Sequence, residues 1–170
     1  MKLIAALAAA MLAVAAPAVA EAGRLHWPLQ PDPAVTRAFD APRPDWTRGH
    51  RGVDLAGVAG QPVYAGAAGT VVFAGELAGR PLVSVQHPSG LRTSYEPVRA
   101  AVRPGQAVRA GSALGALLAG HAGCPVEACL HWGAMWGPAA RADYVDPLGL
   151  LAEIPMVLKP LGGSGHGLPG

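Results

Sequence analysis

The chain has 170 residues, a net charge of +2 and only 14% charged residues, with its few arginines scattered rather than clustered. That balance excludes a basic nucleic-acid surface, and no basic run interleaved with aromatics is present. Two cysteines exclude a densely cross-linked scaffold.

Met1-Lys2 followed by the apolar run Leu3–Ala16 and by Ala18-Val19-Ala20 reads as a secretory signal peptide over residues 1–20, cleaved after Ala20. The apolar run is too short for a stable membrane span. No Cys follows the cleavage site, so no bacterial lipoprotein anchor is expected, and no later stretch is long and apolar enough to cross a membrane. The expected location is secreted or in the cell envelope. About 150 residues remain, which suffices for one domain. Residues 21–48 read as a Pro-rich wrap, residues 49–152 as the main domain, and residues 160–170 as a disordered Gly/Pro tail.

The 23 Gly and 17 Pro leave almost no window for a long amphipathic helix. Between them lie short apolar runs at 62–65, 70–74, 82–86 and 92–95. The pattern predicts an all-β, antiparallel domain, a sandwich or roll. GQPVYAGAAGTVVFAG from Gly60 and GQAVRAGSALGALLAG from Gly105 form an internal repeat. Each unit reads as strand, glycine turn, strand, which predicts duplicated hairpins. His87, before Pro88-Ser89-Gly90, reads as an exposed residue at a strand end. Trp132 and Trp136 either line a groove or pack.

The densest polar cluster is Gly49-His50-Arg51-Gly52-Val53-Asp54. In an extended chain residues 50, 52 and 54 share a face, so His50 and Asp54 point the same way across Gly52. Imidazole and carboxylate both suit zinc. A second cluster, Cys129-Leu130-His131-Trp132-Gly133, reads as a strand with Cys129 and His131 on one face. Cys124 and Cys129, with four residues between them, would close a small disulfide ring in an oxidising compartment. The competing reading leaves Cys129 as a free thiolate within reach of a metal at His131.

Taken together, GHRGVDLAG, GQPVYAGAAGTVVFAG, VSVQHPSGLRTSYEPV, VRPGQAVRAGSALG, CLHWG and DYVDPLGLL, in this order, resemble the lysostaphin-type (LytM-like) zinc endopeptidases that cut peptidoglycan. The resemblance runs from about Trp27 to Leu151. It implies an antiparallel β domain with an open groove, and Zn2+ held by His50, Asp54 and His131 with a water in the remaining position. The implied activity is zinc metalloendopeptidase cleavage of stem or cross-bridge peptides.

Two departures stand beside the match. The family's His-x-His begins here with Cys129, and its Tyr-x-His segment ends here in Pro97. Those histidines are the ones thought to orient the water and stabilise the tetrahedral intermediate. Glu96 and His121 are the candidate replacements as general base. The alternative function is a catalytically impaired zinc-binding relative that binds the wall or regulates a hydrolase. A lipoyl-type carrier domain, which also uses duplicated hairpins, needs a lysine at a hairpin tip. The only lysine outside the leader is Lys159, in the tail, so that reading fails.

Overall fold

A computed structural model describes residues 24–44 and 47–152. The proposed leader, residues 1–20, and the tail, 160–170, lie outside the described residues. Eleven strands follow in chain order: β1 (Val35–Arg37), β2 (Val53–Gly57), β3 (Pro62–Tyr64), β4 (Gly69–Leu77), β5 (Arg80–Gln86), β6 (Arg92–Glu96), β7 (Val98–Ala100), β8 (Ala107–Val108), β9 (Ala113–Leu117), β10 (Ala128–Trp136) and β11 (Asp143–Val145). Two single turns of 3-10 helix, Ala139–Arg141 and Pro147–Leu150, are the only helical segments among the described residues. The all-β expectation holds, and every strand pairing is antiparallel.

The large sheet runs β1-β2-β10-β6-β5-β4-β8, with β11 on the end of β10; the small one runs β3-β9-β7. Alternation decides which residues enter the core. On β10, Leu130, Trp132 and Ala134 are fully buried, and Trp132 stacks at a tilt on Trp27, 6.3 Å away. Trp132 therefore packs rather than lines a groove. Leu25 bridges to Leu151 and ties the first described segment to the last. Asp146 accepts a bond from the Leu148 N–H at 2.9 Å and starts the closing 3-10 turn.

The repeat units are not hairpins. The first strand of each unit pairs with the second strand of the other: β3 with β9, and β8 with β4. The turns follow suit. Ala65 and Gly111–Ser112 bond each other, as do Val71 and Gly105–Gln106. Each unit thus satisfies its backbone groups against its copy rather than against itself.

His87 is also not the exposed residue expected. It is buried, with 5% of its surface exposed. Its Nδ1–H donates to the Ala68 carbonyl at 2.8 Å, and its Nε2 accepts from the Thr93 hydroxyl at 2.8 Å. The chain continues through the Tyr95 hydroxyl at 2.9 Å, which accepts from the Gly66 N–H at 2.9 Å. Each group has one donor and one acceptor role only while the imidazole is neutral. Burial accordingly lowers the His87 pKa, with the Ala68 carbonyl acting in the opposite sense.

A group depressed in the fold binds fewer protons than in the unfolded chain. Its contribution is complete above the ordinary value of 6.5 and is lost as pH falls through the folded value. Thermal unfolding between pH 7.5 and 4.5 is expected to show a lower midpoint at each step below 6.5. His87→Gln is expected to be less stable at neutral pH by about 1–3 kcal/mol and to show a shallower slope. An equal slope in the two proteins would rule His87 out as the source.

Candidate metal centre

The site is built on three adjacent strands. In the β2–β10–β6 part of the sheet, Asp54 lies opposite His131, and His131 lies opposite Glu96. Directly paired residues share a face, so the three side chains form one row on the solvent side. The next row along holds Gly133 opposite Ser94, and Ser94 opposite Ser84. Small residues there leave an open groove of about 610 Å³, with His50, Glu96, His121 and His131 in its lining.

His50 arrives from outside the sheet, on the bridge that joins it to Asp40. Its Nδ1–H donates to the Ala38 carbonyl at 2.7 Å, which turns Nε2 inward with its lone pair free. Such a bond fixes the tautomer and orientation of a metal-binding imidazole. His50 Nε2 is 2.8 Å from Asp54 Oδ1 and 3.0 Å from His131 Nδ1; His131 Nδ1 is 2.9 Å from the same oxygen. Three donor atoms thus converge on one another, and among the described residues these three side chains form the one group of this kind. Asp54 and His50 are almost wholly buried, with side-chain exposures of 4% and 6%.

His121 joins from the loop between β9 and β10. Its Nε2 is buried and lies 3.0 Å from Asp54 Oδ1, an ion-pair contact. Burial works against ionisation of Asp54, but the imidazoles of His121 and His131, with His50 behind them, hold the carboxyl well below the usual carboxylate range. In return the Asp54 carboxylate raises the His121 pKa, against its own partial burial.

The donor set fits a zinc ion. With Zn–N and Zn–O near 2.0–2.1 Å, the edges of a tetrahedral site are about 3.3 Å, close to the observed separations. Lone pairs packed this closely repel unless a proton or a cation lies between them.

Glu96, the other candidate base, faces the groove beside His131 and accepts an ion pair from Arg80 at 3.0 Å. Its side chain is 13% exposed, whereas Arg80 is 62% exposed. Pro97 follows it and lies outside the convergence. Cys129 is fully buried and bonded to Cys124, which rules out the thiolate alternative in this state.

The profile of peptidase family M23 matches residues 48–147. The chain belongs to that family. It is 66% identical over 154 residues to uncharacterized proteins of Mycobacterium tuberculosis and Mycobacterium bovis, an overlap of 91% of this chain and 62% of each relative. The chain therefore spans less than two thirds of the curated relatives it matches. The fold is similar to that of the antimicrobial peptidase lysostaphin from Staphylococcus simulans, with a TM-score of 0.62 at 22% identity over 84% of this chain and 62% of that one. It is likewise similar to a zinc-containing peptidase from Vibrio cholerae, with a TM-score of 0.59 at 24% identity over 78% of this chain and 41% of that one.

One contact in this M23 site has no counterpart in the sequence reading. A Cβ at Gly52 would lie 2.6 Å from His131 Nε2 and 2.6 Å from the Trp132 carbonyl oxygen. Only hydrogen fits there, so the turn that presents His50 and Asp54 closes directly onto the ring of His131. Gly52→Ala is expected to cost about 1–3 kcal/mol by overpacking, measured by urea denaturation. Gly149→Ala is the control: no atom lies within 4 Å of its Cβ position, and its change should stay within about 0.5 kcal/mol. Equal effects at the two sites would mean that the close packing at Gly52 is not what limits it.

Proposed function

We propose that this protein is a zinc-dependent endopeptidase of the cell envelope that hydrolyses peptide bonds in peptidoglycan. The observation that carries the reading is the convergence of His50, Asp54 and His131 at the floor of an open groove. Family membership supports it. The disulfide fits an oxidising compartment outside the cytoplasm. Arg37, Arg51 and Arg92 line the same groove and suit wall peptides that carry carboxylates.

In this reading His50, Asp54 and His131 are the protein ligands. A bound zinc supplies a Lewis acid and lowers the pKa of a coordinated water. The chain's own groups orient and exclude. The Ala38 carbonyl holds the His50 ring, and Gly52 lets His131 close on it. Of the two candidate bases, Glu96 takes the proton-transfer role. It faces the groove from the strand next to His131, and it keeps a free oxygen beside its bond to Arg80.

A second reading has its own observation. Neither Pro97 nor Cys129 carries an imidazole, and Cys129 is locked in a disulfide. The alternative is an M23 relative that keeps the metal but binds the wall or regulates another hydrolase.

Purified protein reconstituted with zinc is expected to hold one ion per chain by elemental analysis, and His131→Ala to hold none. An absence of metal in the folded parent would end both readings.

Activity is read as new amino termini released from purified wall. Asp54→Ala is expected to be inert, and Glu96→Gln to be slower by about 10²–10⁴-fold, the usual worth of general acid–base help. If the parent holds zinc but releases no more than Asp54→Ala on several cross-bridge types, the regulatory reading replaces the enzyme. Equal rates for parent and Glu96→Gln would remove Glu96 from the mechanism.

A further inference from the structure

The groove beside the metal centre is unevenly charged. Its lining holds Arg37, Arg51, Arg80 and Arg92 against a single acidic side chain, Glu96. Arg80 is ion-paired with that glutamate at 3.0 Å. Arg51 lies over the Tyr144 ring at 5.8 Å and donates to the Thr47 carbonyl at 3.2 Å. Arg37 is exposed at the end of β1, where water screens its charge. Arg92 is different. It is half-buried on β6 and forms no ion pair among the described residues. Its Nε–H donates to Gln86 Oε1 at 3.2 Å, and the Gln86 amide donates in turn to the Leu91 carbonyl at 3.0 Å. The second bond fixes which atom of the amide faces the arginine. Gln86 is neutral, so it orients the guanidinium without cancelling its charge. With Nε engaged, the edge formed by the two terminal nitrogens is the one left for a ligand.

The register sets Arg92 across the groove from the metal centre. On β6, Glu96, Ser94 and Arg92 share a face, and the pairing with β10 places them opposite His131, Gly133 and Met135. Ser94 and Gly133, with Ser84 beyond them, form the floor. His131 and Glu96 stand on one bank, Arg92 and Met135 on the other. Four residues of extended strand separate the banks by about 13 Å between backbones, a width that admits one peptide chain. A peptide laid along the floor passes His131 and Arg92 almost together, because adjacent strands are about 4.8 Å apart. One extended residue covers about 3.3–3.6 Å. The group that meets Arg92 therefore belongs to a residue within about two positions of the bond held at the metal, on a side chain that faces away from it. A terminal guanidinium edge pairs with both oxygens of a carboxylate. It has no such match in a carboxamide, whose NH2 group is itself a donor.

We propose that Arg92, oriented by Gln86, is a carboxylate-binding residue that makes the groove select wall peptides with a free acidic side chain beside the bond at the metal over the same peptides amidated there. The proposal rests on the reading of the groove as a wall-peptide site, and it narrows the substrate within that reading. A cross-bridge without acidic side chains lacks the group that Arg92 binds and is a poor substrate. Amidation of a stem peptide removes the recognition without changing its shape.

The test uses zinc-loaded protein and matched pairs of synthetic stem peptides, each pair differing only in whether one side chain ends in a carboxylate or a carboxamide. The preference is read as a ratio of kcat/KM where the peptides are cut, and as a ratio of Kd by calorimetry where they are only bound. It therefore stays measurable if the chain binds the wall without cleaving it. The parent is expected to favour one carboxylate peptide over its amide by about 10–100-fold, the usual worth of a hydrogen bond to a charged group. Arg92→Gln is expected to bring that ratio to within about two-fold of unity, as for charges that are only screened. Arg92→Lys, which keeps the charge but not the fork, is expected to fall between. Arg99→Gln removes the same charge from outside the groove lining and is expected to keep the parent ratio. Because the ratio is internal to each protein, a partly folded variant does not shift it. A parent ratio below about two-fold for every pair overturns the proposal, as does an Arg92→Gln ratio equal to the parent's. An equal loss in Arg99→Gln assigns the preference to net charge and overturns it as well. A zinc-loaded parent that neither cuts nor binds any of the peptides overturns the wall-peptide reading itself, and the role of Arg92 with it.

Discussion

The pairing register of β2 with β10 is the constraint on which everything at this site depends. It sets Asp54 opposite His131, and the next pairing sets His131 opposite Glu96. Because side chains alternate, a slip of one residue would send His131 into the core and Leu130 out to the groove. The core forbids it. Leu55, Leu130 and Trp132 are fully buried, as is Tyr95 on β6. Exposing any of these would lose roughly 1.5–3 kcal/mol of burial per side chain. The hydrophobic face thus fixes the register, and the register places the polar row without any direct bond among its members being needed.

The same constraint explains what the sequence made legible. Short apolar runs between Gly and Pro announce antiparallel strands, and β3 to β6 begin and end within a few residues of the runs that predicted them. His50 and Asp54 share a face because the chain there is extended, a local property. His131 needed the motif, since nothing local ties it to residue 54, which lies 77 positions away. The exchanged strands of the repeat could not be read. Both arrangements, hairpin or exchange, use the same apolar pattern, and only tertiary satisfaction of the turn backbones separates them. His87 misleads for a related reason. Its neighbours Pro88-Ser89-Gly90 mark a turn, but its burial is decided by Ala68 and Thr93, on other elements.

His121 is the hardest residue to read. It sits between Gly120 and a Gly-Cys pair, in a stretch with no periodicity. Its loop is joined to β10 by a covalent link. The sequence names it as one of two substitutes for lost imidazoles, but carries no geometry that sends it to the carboxylate oxygen. The one signal near it is the pairing of cysteines, which ties the loop that carries it to the strand of His131.

The two departures from the family motif are therefore better read together than as separate losses. At position 129, where the resemblance implies a histidine, this chain has a cysteine whose sulfur is bonded to Cys124. It holds Cys124 and, through it, the turn that carries His121. From that loop His121 brings an imidazole to within 3.0 Å of the Asp54 carboxylate. Position 129 is held on β10 by its pairing with Ala56 of β2, and the pairing with β6 begins at His131. The His121 loop is held to the sheet by the disulfide and by the Leu118 N–H bond to the Pro97 carbonyl at 3.0 Å.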